Sequence, residues 1–185
     1  MGIGEPVRHP AGFLDRDGVI NRAVIRDGIP RPPASLADLE ILPSVPEALS
    51  ALRAHGYSLV VVSNQPDVAR GTCSREVVDS INQRLKQQLQ LDAILTCFHD
   101  NADRCECRKP KPGLLLQAAH QFDIDLPLSF MVGDRQCDLE AGKRAGCRTF
   151  FVDCGYPDEP RGASDFRVAS LMQATEIILV HSSLP

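Results

Sequence analysis

Positive charge is in deficit along this chain: 20 Lys and Arg stand against 24 Asp and Glu, giving a formal net charge of −4. A surface with that balance does not attract nucleic acid or an anionic membrane as a whole, so any affinity for phosphate has to come from a local cluster. Long apolar runs are missing too, and none approaches the length of a membrane span. The opening residues M-G-I-G-E-P-V-R-H-P hold no apolar signal core and carry Pro6 where a myristoylation site needs Ser or Thr. The expectation is a soluble, cytoplasmic, monomeric protein with neither a nucleic-acid nor a membrane partner. There is no internal repeat, low-complexity tract or inter-domain linker, so residues 1–185 are expected to form one domain, long enough to bury a core without staples. Nor is there an even set of cysteines. The seven are Cys73, Cys97, Cys105, Cys107, Cys137, Cys147 and Cys154. Three of them crowd together, which fits a metal site plus spare reduced thiols better than a disulfide framework.

What is present alternates. The run Tyr57 to Val62 is nearly continuous in β-branched residues, as in a strand buried on both faces of a parallel sheet. Shorter strands are expected at Ala11 to Leu14, Ala93 to Thr96, Ser129 to Val132 and Arg148 to Val152. Between them, apolar residues fall at helical spacing: Val45, Ala48, Leu49 and Leu52 behind a Ser44 cap, then Val77, Val78, Ile81, Leu85 and Leu89 behind a Ser74 cap. Further helices are predicted over Leu114 to Phe122, Asp138 to Ala145 and Ala169 to Val180. Strands alternating with helices predict an α/β fold, an open parallel sheet with helices on both faces. Two stretches read as irregular. Arg22 to Pro43 carries prolines 30, 32, 33 and 43, which argue against regular pairing, and Asp153 to Arg167 lacks periodicity.

Ligands of such sheets bind beyond the carboxyl ends of the strands, and that is where the polar clusters fall. The segment Phe13 to Asn21, F-L-D-R-D-G-V-I-N, delivers Asp15 and Asp17 at the end of a strand. Two acids so close repel unless a cation sits between them, and a hard cation such as Mg²⁺ takes oxygen ligands. A carboxylate there can also attack phosphorus, although a polar turn would read similarly. Asp134 follows the strand S-F-M-V and aims a third carboxylate at the same rim. Asp138, four residues on, reads as a helix N-terminal cap. Ser63 ends the central strand, where its hydroxyl can meet a ligand oxygen or simply serve a turn. Lys109, in C-R-K-P-K-P-G, supplies positive charge for a phosphoryl group. Cys97, His99, Cys105 and Cys107 match four-coordinate structural zinc, with a reduced thiol cluster as the plain alternative.

Taken together, D-R-D-G-V-I-N, S-N-Q-x-x-x-A-R-G, C-x-H-x₅-C-x-C-R-K-P and V-G-D-x-x-x-D resemble the D-glycero-D-manno-heptose 1,7-bisphosphate phosphatases. These form a histidinol-phosphatase-related branch of the haloacid dehalogenase superfamily, and the resemblance runs from about Phe13 to Val152. It implies a haloacid dehalogenase-like Rossmannoid fold without a large cap domain and with a zinc loop over residues 97–107. It also implies a Mg²⁺-dependent phosphomonoesterase that removes the C7 phosphate of a small sugar bisphosphate. By resemblance Asp15 is the nucleophile and Asp17 the general acid, then base. Asp15, Asp134 and the backbone carbonyl of Asp17 hold Mg²⁺, and Ser63 and Lys109 steady the phosphoryl group. Asn64, Gln65, Arg108 and Arg135 are the implied substrate contacts. Val19, Pro66-Asp67 and Arg135 depart from the residues common in the family, and the proline-containing loop is longer; these differences touch substrate-facing segments. Histidinol phosphate or another small sugar phosphate is the alternative substrate, and a catalytically inactive binding protein the alternative class. Arg22, Arg26, Arg31 and Arg108 favour an anionic distal group, because guanidinium pairs bidentately with phosphate.

Overall fold

The computed structural model describes residues 8–156, 162 and 164–182. Strand β1 (Ala11–Leu14) leads into a small ribbon, β2 (Val24–Arg26) and β3 (Ile29–Arg31), then α1 (Val45–Ala54) and β4 (Ser58–Asn64). The rest alternates: α2 (Arg75–Leu89), β5 (Ala93–Cys97), α3 (Gly113–Gln121), β6 (Phe130–Gly133), α4 (Gln136–Ala145), β7 (Arg148–Val152), β8 (Phe166–Val168) and α5 (Leu171–Ser182). Six strands form one sheet in the order β5-β4-β1-β6-β7-β8, every neighbouring pair parallel.

Period-two alternation splits the core between the two faces. In β4, Leu59 and Val61 join Val45, Leu49 and Leu52 of α1, Ile81 and Leu85 of α2, and Ile178 of α5. Val60 and Val62 face the other way, onto Leu114, Leu115 and Ala118 of α3 and Ala141 and Ala145 of α4. All four β4 residues are fully buried, and each such side chain contributes roughly 1.5–3 kcal/mol relative to exposure. A strand stabilised from both faces has to lie inside the sheet, and β4 does.

The strand order fixes where a ligand can sit. After β1 the chain builds outward through β4 and β5, then crosses back to lay β6 on the other side of β1. Helices on the two faces diverge where this reversal occurs, leaving a crevice at the carboxyl end of β1. Asp15 is the next residue.

Three local expectations need correction. Residues 22–43 are not wholly irregular: β2 and β3 pair antiparallel around Asp27 (φ 53) and Gly28 (φ 72), a two-residue turn with both central residues at positive φ. Pro30 lies opposite Ile25, and beside such a turn this is a non-hydrogen-bonded pair, so the missing N–H costs no ladder bond. Ser44 does not cap α1 with its side chain; it adopts φ 62, and a proline in the first turn, Pro46, favours the helix instead. Ser74 does cap α2, accepting from the Val77 N–H at 3.4 Å. Finally, Phe166 to Val168, part of which reads as irregular, forms edge strand β8 against β7, anchored where Asp165 accepts from the Thr149 N–H and hydroxyl, both at 2.7 Å. Residues 157–161 and 163 of that stretch, and residues 1–7 of the opening segment, lie outside the described residues. Among the described residues no helix is long and apolar enough to cross a membrane.

Candidate active site

The Asp15 N–H donates to the Val132 carbonyl at 2.9 Å, carrying the β1–β6 ladder one residue past the strand and fixing where the carboxylate emerges. Lys109 reaches it from the loop before α3. Its Nζ lies 2.5 Å from Asp15 Oδ1 and 2.7 Å from Asp138 Oδ1, and donates to the Val62 carbonyl at 2.7 Å. Asp138 caps α4 as well, accepting from the Arg135 N–H at 3.0 Å, so its carboxylate serves the helix and the lysine together. Asp134 stands at the end of β6, 3% exposed, with neither carboxylate oxygen hydrogen-bonded among the described residues. Oxygens of Asp15, Asp134 and Asp138 lie within 4.8 Å of one another.

Three buried carboxyl groups crowd together here, and the one ammonium pairs with only two of them, Asp15 and Asp138. Burial, only partly offset by Lys109, pushes the Asp15 carboxyl up to about 6. Burial and then the repulsion of Asp15 and Asp138 drive Asp134 well above the usual carboxylate range. Burial opposes the Lys109 charge, but Asp138 and Asp15 outweigh it and its pKa rises. Unbalanced buried carboxylates with open lone pairs suit a hard divalent cation with oxygen ligands. The backbone is shaped for this crowding. Gly18 sits at φ +102, and a Cβ there would overlap Asp134 Oδ2; a Cβ on Gly133 would overlap the Asp138 side chain.

Asp17 stands beside this cluster of three rather than in it. Its oxygens accept from Arg16, from Asn21 Nδ2 at 2.9 Å and from Gln65 Nε2 at 2.7 Å. Gln65 donates onward to Ser63 Oγ at 2.9 Å, so one amide ties the expected acid to the expected phosphoryl-binding hydroxyl. Asn64 faces the other way, its amide gripping the Lys109 backbone with bonds of 3.0 Å to the carbonyl and 3.1 Å from the N–H. It thereby places Lys109. Arg108 Nε donates to Asn101 Oδ1 at 2.9 Å and Nη1 to the His99 carbonyl at 3.3 Å, bracing the cysteine-rich loop. Arg135 reaches across to the Pro30 carbonyl at 3.0 Å and ties the ribbon to the α4 terminus beside Asp134. Arg22 pairs with Glu40 at 2.9 Å.

The ribbon stands between two hollows. One, about 720 Å³, lies beside Gly18 and is lined by Arg22, Ile25, Cys154 and Tyr156. The other, about 460 Å³, is bordered by Arg26, Arg31, Asp67 and Cys73.

Four soft ligand atoms converge at the end of β5. Separations are 3.7 Å for Cys97 Sγ to His99 Nδ1, 3.7 Å to Cys105 Sγ and 3.2 Å to Cys107 Sγ. His99 Nδ1 is 3.3 Å from Cys107 Sγ, which is 3.5 Å from Cys105 Sγ. A tetrahedron with Zn–S arms of ~2.3 Å has edges of about 3.8 Å, so these atoms already stand near the corners of one. Burial pushes the Cys97 thiol up to about 12, whereas hydrogen bonds from Cys107 and the Arg108 backbone outweigh burial and lower Cys105.

Sequence reasoning missed two members of the site. Asp138 read as a cap alone; it is the third residue of α4, and its carboxylate converges with that of Asp134, which precedes the helix. Arg16, between the two motif acids, gave no signal at all: a charged residue in a turn reads as solvated, yet it is fully buried.

The sequence matches the haloacid dehalogenase-like hydrolase family over residues 22–146. A Vibrio cholerae D-glycero-beta-D-manno-heptose-1,7-bisphosphate 7-phosphatase is 37% identical over 83% of this chain and 86% of its own. A Mycobacterium bovis D-glycero-alpha-D-manno-heptose-1,7-bisphosphate 7-phosphatase is 42% identical over 69% of this chain and 68% of its own. The crystal structure of a D,D-heptose 1,7-bisphosphate phosphatase from B. bronchiseptica, complexed with magnesium and phosphate, superposes with a TM-score of 0.76 at 29% identity, covering 93% of this chain and 99% of that one. A carboxylate crevice suited to a cation and a phosphoryl group therefore coincides with likeness over most of both chains, and the protein belongs to the heptose-bisphosphate phosphatases, phosphoric monoester hydrolases of the haloacid dehalogenase-like family.

Proposed function

We propose that the protein removes the C7 phosphate of D-glycero-D-manno-heptose 1,7-bisphosphate through a phosphoryl-Asp15 intermediate. The observation that carries the reading is the convergence of Asp15, Asp134 and Asp138 around Lys109, with both Asp134 oxygens open. Asp15 and Asp134, with the backbone carbonyl of Asp17, would hold Mg²⁺, which when bound neutralises phosphoryl oxygens. Asp15 attacks phosphorus, and the bond from phosphorus to the sugar oxygen breaks. Asp17 delivers a proton to that oxygen, then takes one from the water that attacks phosphorus and frees Asp15. Ser63 and Lys109 hold the phosphoryl group, and Lys109 also keeps Asp15 ionised and aimed. Zn²⁺ on Cys97, His99, Cys105 and Cys107 would hold the loop that carries Arg108 and Lys109.

The residues assigned to the site all belong to the one domain built on this sheet, which supports a single-domain enzyme, and we read it as a monomer. Among the described residues Arg26 and Arg31 have no ion-pair partner and project from the same face of the ribbon, as their pairings with Ile29 and Val24 require. With Arg108 they are the guanidinium groups available to a second phosphate, and they support a bisphosphate over a cationic substrate such as histidinol phosphate. The test is phosphate release from both anomers of heptose 1,7-bisphosphate, from other sugar bisphosphates and from histidinol phosphate. The heptose bisphosphate should give the highest kcat/KM. A preference for histidinol phosphate would overturn the substrate and leave the phosphomonoesterase standing.

A further inference from the structure

The largest fully buried side chain among the described residues is not an aliphatic or aromatic one but Arg16, at 0% exposure. Sealing a guanidinium from water is costly unless its charge is paired and its donors are met. Both conditions are satisfied by one carboxylate and one amide. Nε lies 3.3 and 3.2 Å from the two Asp17 oxygens, Nη2 lies 3.0 Å from Asp17 Oδ2, and Nη1 donates to Asn82 Oδ1 at 2.9 Å. Asn82, on α2, donates in turn to Thr96 Oγ1 on β5 at 3.1 Å. A continuous chain of polar contacts therefore runs from Asp17 through buried Arg16 to a half-buried helix residue and strand residue outside the reacting crevice.

Nothing in the reaction requires Arg16 to touch substrate, and its burial prevents it. What the reaction does require is a carboxyl group held in one orientation, because a proton passes efficiently only between atoms already within hydrogen-bond reach. Asn21 and Gln65 bond Asp17 with single, rotatable amide donors. Arg16 meets both oxygens from one rigid plane, Nε shared between them and Nη2 on Oδ2, and so resists rotation of the carboxylate about its last bond more than a single rotatable donor does.

We propose that Arg16 is a positioning residue for proton transfer: its guanidinium, anchored by Asn82 and Thr96, sets the direction in which Asp17 faces the leaving oxygen. This rests on the reading of Asp17 as general acid. The alternative is that Arg16 only fills and neutralises an interior pocket.

The two differ in which substrates suffer. An alkyl phosphate such as heptose 1,7-bisphosphate needs its leaving oxygen protonated, whereas p-nitrophenyl phosphate departs as a stable anion. Both substrates are to be assayed with the parent, Arg16→Lys, Asp17→Asn and the double variant. Arg16→Lys keeps the charge and loses the rigid plane; it should lower kcat/KM for the alkyl substrate about tenfold or more, a fraction of the full acid contribution, and leave the aryl substrate within about threefold. In the Asp17→Asn background the same substitution should cost nothing further, since residues acting as one unit are not additive. Equal losses on both substrates, or an additive loss in the double variant, would overturn the proposal. Should Arg16→Lys fail to fold, Asn82→Ala decides the matter, because it removes only the far anchor: the alkyl-selective loss should persist at smaller size, and no selective loss would sink the idea. If Asp17→Asn itself loses both activities equally, the general-acid reading fails and this proposal falls with it. If Asp17→Asn is selective and Arg16→Lys is not, only the present proposal fails.

Discussion

Two centres suited to metals lie on either side of Lys109 and could hardly be built more differently. The carboxylate crevice draws on strand ends and a loop remote in sequence; Asp15 and Lys109 are 94 residues apart. It is buried, uses hard oxygen ligands and carries more negative charge than its lysine can balance. The cysteine-rich site lies within eleven consecutive residues, Cys97 to Cys107, is only partly buried and presents soft ligands that lose their protons as metal binds. The first site is a product of the fold and exists with or without its ion. The second is a loop for which a bound ion would be the core. Losing the ion should therefore abolish chemistry at one centre and order at the other.

The sharpest break of that contrast is Asp15→Asn. On the proposed mechanism it should remove turnover by more than about 10⁴-fold, since an amide does not attack phosphorus as the carboxylate does, while the melting temperature stays the same or rises as a buried charge disappears. Activity surviving in contaminant-free protein would show that another group attacks phosphorus.

Lys109→Met comes next, with an expected loss of about 10²- to 10³-fold in kcat, the usual size for one electrostatic contact in a dry site. It also leaves Asp15 and Asp138 without their shared cation, so the variant should melt earlier than Asp15→Asn. A Lys109→Met protein as stable as the parent would mean that the ammonium does not offset the buried carboxylates.

At the second centre, elemental analysis of chelator-free protein should find one zinc per chain, and Cys105→Ser should lose it. Proteolysis should then cut between residues 97 and 108 before the rest of the domain opens. Structural zinc contributes ~10–16 kcal/mol in isolated peptides; here the sheet carries most of the stability, so global unfolding should move far less than that. Simultaneous loss of loop and domain would erase the distinction between the two centres.

The smallest effect is a pH dependence confined to the crevice. In metal-free protein Asp15 keeps its proton up to about 6 against an ordinary 3.8. The folded state thus binds more protons than the unfolded one between those values, and stability from this group is full below 3.8 and lost as pH rises through 6. The difference in unfolding free energy between parent and Asp15→Asn should shift against the parent by on the order of 2 kcal/mol from pH 4 to pH 7, and Mg²⁺ should reverse the shift. A pH-independent difference would contradict the buried carboxylate.

These contrasts also explain what could be read in the sequence. The sheet was legible because β4 and its flanking helices carry unambiguous periodicities, and the cysteine-rich loop because all its ligands are neighbours. Asp15 and Asp134 were legible because each directly follows a strand. The ribbon was not, since prolines veto pairing only at hydrogen-bonded positions, and position depends on a turn that has to be seen first. Nor was β8, three residues held by β7 and by Asp165 rather than by any pattern of their own. Arg16 was hidden for a deeper reason: burial of a charge is decided by partners from α2 and β5, which no local window contains.

The central place of β1 has a consequence for the order of assembly. It is the first strand of the sheet to be synthesised, yet one of its partners, β6, comes late in the chain. Contacts of such long sequence separation close slowly. On a growing chain β1, β4 and β5 are complete before Asp134 and Asp138 exist, so Asp15 and Lys109 can meet as a simple ion pair. The surplus negative charge enters only when β6 docks against a scaffold already able to hold it.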